Sequence, residues 1–180
     1  CRVPVFWRYP MHETVPKLLV LGVGNILYTD EGVGVRAVET LLARYRFSDH
    51  VTLMDGGTLG MRLMDPIMQC EKLIVIDAVL GGDEPGSVYR LTGDDLRKSL
   101  AFKNSMHQSD LVDTLICCGL AGNRPEAIVV GVEPFDYQTM AVDITPHMAE
   151  KMPVILEVAL DEITKAGGDY APLSPDGDGA

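Results

Sequence analysis

Glu31, Asp77 and His107 are the side chains in this sequence whose types and placement best suit chemistry. Glu31 and Asp77 each follow an apolar run, and His107 follows a polar stretch at the start of an amphipathic one. Two carboxylates and one imidazole offer oxygen and nitrogen donors with positions left for water or substrate, as in an open divalent-metal site. Spacing alone leaves plainer readings open. Glu31 also fits a helix-start acid facing the macrodipole. Asp77 fits a turn residue closing a strand, and His107 a capped or packed helix residue.

The loop Gly22-Val-Gly-Asn-Ile-Leu-Tyr-Thr-Asp-Glu31 first invites a dinucleotide reading, with Asp55 placed where a ribose-binding acid would stand. That reading fails on its own terms. Leu27 occupies the third glycine position, and Asp30 and Glu31 stand where a pyrophosphate needs bare N–H groups. Such a loop repels an anion and welcomes a cation.

Apolar runs mark the elements that must carry these residues. Lys17–Val23, Val51–Met54, Lys72–Asp77 and Ala127–Val132 read as buried strands. Ser87–Leu91 reads as a further β-segment, antiparallel to its neighbour. Helices are predicted from about Glu31 to Tyr45, with Gly34, Val38, Leu41, Leu42 and Tyr45 on one face, and after Thr58 as a cap, ended or kinked by Pro66. Others are expected as a turn or two at Leu96–Leu100, over His107–Leu120, and from Thr145-Pro146 to about Lys165. Continuous apolar strands alternating with helices imply a mostly parallel sheet covered on both faces. The expected fold is a three-layer α/β/α sandwich with a twisted sheet of about five strands. Ligands in such sheets lie beyond the carboxyl ends of the strands, where Glu31, the Asp55-Gly56-Gly57-Thr58 turn and Asp77 fall.

Residues 1–16 read as a flexible extension containing a plausible natural start at Met11, residues 17–166 as a single domain, and residues 167–180 as a disordered tail. The 180 residues carry 15 Lys and Arg against 26 Asp and Glu, a net charge of −11. That balance argues against nucleic acid and anionic membrane as partners. No apolar run reaches the roughly 18–20 residues of a spanning helix. Cys1, Cys70, Cys117 and Cys118 form no C-x-x-C pair and suit a reducing, cytoplasmic compartment.

Other catalytic readings are thinner. The sequence has no G-x-S-x-G elbow; Ser105, near His107, reads as a turn or cap residue, and Cys70, Cys117 and Cys118 sit in apolar settings that favour core packing. His12 and His50 read as end or loop residues, and His147 with Glu150 as a surface pair at a helix start. Met54, Met61, Met64 and Met68 read as core filling, with an adaptable apolar wall as the alternative.

Leu21-Gly-Val-Gly-Asn-Ile-Leu-Tyr-Thr-Asp-Glu-Gly-Val-Gly-Val35, Asp55-Gly-Gly-Thr58 and Ile76-Asp77-Ala78 closely resemble the hydrogenase maturation endopeptidases. His107-Gln108, Gly131-Val-Glu-Pro134 and Thr145-Pro146 extend the resemblance, which runs from about Lys17 to Gly167. The resemblance implies an endopeptidase that removes a C-terminal peptide from the nickel-loaded large-subunit precursor of a nickel–iron hydrogenase. It aligns Glu31, Asp77 and His107 with the family's metal-binding acid, aspartate and histidine. Nickel would arrive in the precursor, and no organic cofactor is implied. Asp30 is the neighbouring motif acid, while the ligand position falls on Glu31. Asp55, Gly56, Gly57 and Thr58 align with the loop associated with choosing the correct precursor. A non-catalytic nickel- or precursor-binding chaperone is the competing class.

Overall fold

A computed structural model describes residues 16–58, 60–92 and 108–173. Strand β1 (Leu18–Val23) is buried along its whole length, as its unbroken apolar run requires. The chain then makes a 3-10 turn (Thr29–Gly32) before helix α1 (Val33–Arg44). The helix therefore begins two residues after Glu31, and Leu42 lies half exposed rather than on the packed face.

A short strand β2 (Tyr45–Phe47) and strand β3 (Val51–Gly57) follow. Strand β3 runs on through Asp55-Gly56-Gly57, past the expected end at Met54. A second 3-10 turn (Gly60–Leu63) leads into α2 (Met64–Met68). Thr58 is not its cap, since Leu63 holds that position, and Pro66 is tolerated inside the first turn, where its missing N–H costs nothing. Then come β4 (Lys72–Ala78), β5 (Val88–Thr92), α3 (Gln108–Leu120), β6 (Glu126–Val132), α4 (Pro146–Lys165) and β7 (Tyr170–Pro172). Helix α4 starts as the sequence indicates, with the Thr145 hydroxyl accepting from Met148 N–H and Pro146 in the first turn.

Among the described residues, five strands form one sheet in the order β3-β1-β4-β6-β5. The first four run parallel, and β5 pairs antiparallel with β6. One face carries Leu18, Val20, Ile74, Ile76, Val130 and Val132 against α1 and α4. The other carries Leu19, Leu21, Leu73, Val75 and Val129 against α2 and α3. The architecture is a three-layer α/β/α sandwich.

One further segment departs from the expectation. Within the stretch from Gly167 expected to be disordered, Tyr170–Pro172 forms β7, which pairs antiparallel with β2 in a separate two-stranded ribbon. Tyr45, Phe47 and Tyr170 pack their rings together there, Tyr45 and Tyr170 edge-on at 5.3 Å. The Leu96–Leu100 helix, the extension through residue 15 and residues 174–180 lie outside the described residues. Among the described residues, no helix is long and apolar enough to cross a membrane.

Candidate functional site

The order of the sheet creates one distinctive crevice. From β1 the chain crosses to β3 on one side, then returns past β1 to β4 on the other. The strand order thus reverses between β1 and β4, and a parallel sheet opens at the carboxyl end of such a switch point. Glu31 follows β1, and Asp77 is the penultimate residue of β4.

Glycines let the two carry-ons approach. Gly24 adopts φ +137°, a conformation open to glycine, and a Cβ there would overlap the carbonyl of Glu31. Gly34, in the first turn of α1, would drive a Cβ into the carbonyl oxygens of Ile76 and Val23. The head of α1 thereby sits directly on the ends of β1 and β4. Thr29, without glycine's freedom, takes φ +40°, a strained conformation held by its N–H to Ala141 O (3.0 Å) and its hydroxyl to Asp136 O.

Asp77 is almost wholly buried, at 2% exposure. Burial lifts its carboxyl well above the usual range, the Ala78 N–H partly counters this, and the Glu31 carboxylate adds to the rise. A divalent cation beside Asp77 would offset that penalty and favour its carboxylate.

The adjacent acid behaves differently. Asp30 is fully buried and accepts four hydrogen bonds, from Phe135 N–H (3.0 Å), Asp136 N–H (3.1 Å), Thr145 N–H (2.7 Å) and the Thr145 hydroxyl (3.0 Å). A similar internal acid holds the loop after Asp77. Glu133 Oε2 accepts from the N–H groups of Gly81 (2.7 Å) and Gly82 (3.1 Å) and from the Tyr89 hydroxyl (2.6 Å). Burial, and then that bond to Glu133, push the Tyr89 phenol upward. The sequence singles out both acids only as motif members; their donors come from distant loops.

His107 and Ser105 lie outside the described residues. Among the described residues, no group of three or more His, Cys, Asp or Glu is gathered for a metal ion. Asp55 is exposed and accepts Gly57 N–H at 2.8 Å, while Gly24 N–H donates to Gly57 O at 3.0 Å. The Asp55 turn is thus tied to the Gly24 loop on the same rim; Thr58 is exposed beside it.

Two of the thiols are buried: burial pushes Cys70 up to about 11 and raises Cys118 as well, which disfavours the thiolate at both. Met54, Met64 and Met68 pack on the core, whereas Met61 is 58% exposed. His50 contacts Gly167 O at 3.0 Å, and His147 stacks on Phe135 at 5.4 Å.

A family model described as hydrogenase maturation protease matches residues 35–162, a span that includes Asp77 and His107. The chain belongs to the hydrogenase maturation protease family. It is 37% identical over 171 residues to the hydrogenase expression/formation protein HoxM of Azotobacter vinelandii, covering 90% of this chain and 83% of that one. Against the hydrogenase 2 maturation protease of Escherichia coli K12 it is 35% identical over 158 residues, covering 87% and 96%. The solved hydrogenase maturating endopeptidase HybD of E. coli superposes with a TM-score of 0.81 at 36% identity, covering 87% of this chain and 97% of that one. The chain is accordingly a peptidase of hydrogenase maturation, and the dinucleotide and chaperone classes fall away.

Proposed function

We propose that this protease removes a C-terminal peptide from the large-subunit precursor of a nickel–iron hydrogenase, and that nickel already seated in the precursor is what it recognises. The observation that carries this reading is the buried Asp77 carboxylate at the end of β4, beside the β1/β4 switch point that the Glu31 loop follows. Glu31, Asp77 and His107 complete the coordination of a metal whose other ligands belong to the substrate. That ion would polarise the scissile carbonyl or activate a water for attack, or alternatively a carboxylate of the set would serve as general base. Nickel in this scheme is part of the substrate, and no organic cofactor takes part.

The Asp55-Gly56-Gly57-Thr58 turn, with Asp55 and Thr58 exposed and Gly56 buried, takes the role of selecting the precursor. The loops around Glu31 also expose Leu27, Phe135, Tyr137 and Met140, an apolar rim that supports a protein substrate rather than a small molecule. Cys70, Cys117 and Cys118, unpaired as disulfides, suit the reducing cytoplasm, where we place the reaction.

The test is incubation with nickel-loaded and nickel-free precursor, followed by mass measurement. Loss of a C-terminal peptide from the loaded form alone is expected. Stable association without cleavage, or equal cleavage of both forms, would overturn the nickel-dependent reading.

A further inference from the structure

We propose that Asp30 is a positioning residue: its buried carboxylate fixes the turn that carries Glu31, and it acts on catalysis only through Glu31. The inference rests on the reading of Glu31 given above. Asp30 precedes Glu31 in the same 3-10 turn, yet its carboxylate is wholly buried and faces away into the loop at residues 134–145. Its donors are three backbone N–H groups and one hydroxyl, all neutral. Burying a carboxyl group is costly unless its oxygens are hydrogen-bonded, and here both of them are.

What that solvation secures is the turn. Beside the carboxylate bonds, Asp30 N–H donates to Asp136 O at 3.0 Å, and Ala141 N–H to Leu27 O at 3.0 Å. The strained Thr29 lies between these anchors. A turn without such ties would relax, and Glu31, the next residue, would swing away from Asp77. An amide cannot substitute, because its NH2 would face N–H donors on one side of the group.

The experiment is a double-mutant cycle on the release of C-terminal peptide from nickel-loaded precursor, followed long enough to measure residual rates. It compares wild type, Asp30→Asn, Glu31→Gln and the double variant, each at a temperature where melting shows it fully folded. Asp30→Asn is expected to slow release by about tenfold to a hundredfold. In the Glu31→Gln background the same change should cost less than about twofold, since its route is already removed. Equal losses on both backgrounds, or a wild-type rate for Asp30→Asn, would overturn the proposal.

Should Asp30→Asn not fold, Thr145→Val carries the same cycle at a temperature where it is folded. It removes one donor to Asp30 together with the cap acceptor for Met148 N–H, with Thr145→Ser, which keeps both bonds, regaining the rate. A crystal structure of whichever variant folds supplies a readout independent of turnover. A Glu31 carboxylate within about 0.5 Å of its wild-type position relative to Asp77 would sink the idea. Failure of the underlying reading looks different: wild type itself would release no peptide.

Discussion

Thr145 donates both its N–H (2.7 Å) and its hydroxyl (3.0 Å) to the carboxylate of Asp30, 115 residues earlier in the chain. The same hydroxyl oxygen accepts from Met148 N–H at 3.2 Å, so a buried acid and a helix cap share one side chain. The N-terminal end of α4 is thereby tied to Asp30. The loop that presents Glu31 and the start of the longest described helix are held as one unit.

Asp77→Asn is expected to raise the melting temperature at neutral pH while abolishing peptide release. Burial and Glu31 raise the folded-state pKa of Asp77, so the folded protein holds this proton more tightly than the unfolded chain. As pH rises above the unfolded value of about 3.9, wild type loses stability that the asparagine variant keeps. The gap in melting temperature should open from about pH 4 upward and close below it. A variant less stable than wild type throughout would contradict this account.

His107→Ala is expected to stop release with a stability change of about 0.5 kcal/mol or less, as for a surface substitution. The paired measurement is melting temperature against peptide release from loaded precursor. Wild-type release by this variant would remove His107 from the site.

Asp55→Ala deletes the acceptor for Gly57 N–H at an exposed turn. Small change in melting is expected, with altered rate or altered choice between precursors of different hydrogenases. Competition between two precursors, read by mass, decides it; an unchanged ratio and rate would leave Asp55 as a turn former only.

Gly34→Ala is expected to destabilise by about 1–3 kcal/mol, because a Cβ there meets two carbonyl oxygens that belong to β1 and β4. Release should fall further than the folded fraction does, since lifting α1 parts Glu31 from Asp77. Denaturant melts run beside the release assay measure both, and equal falls would show a purely structural role.

Much of the fold is readable because β1, β3, β4 and β6 are apolar runs with polar ends, and Thr145-Pro146 spells its own helix start. That Glu31 follows one strand and Asp77 closes another is legible from those runs. The work of Asp30 is not, because its donors Phe135, Asp136 and Thr145 lie in a distant loop with no periodicity to read. Glu133 is hidden for the same reason, its partners Gly81, Gly82 and Tyr89 being set by the fold. Strand β7 escapes notice because three residues within a Gly-, Pro- and Asp-rich stretch carry too little pattern, and tertiary pairing with β2 overrides local composition.

That ribbon bears on how the enzyme itself withstands proteolysis. Clipping the chain after Ala166 would strip β7 from Tyr45–Phe47 and leave β2 with a bare backbone edge beside two uncovered rings. Such an edge recruits a strand from another copy, by swapping or by open-ended stacking. A protease whose work is to trim another protein's tail would thus be driven towards aggregation by losing its own.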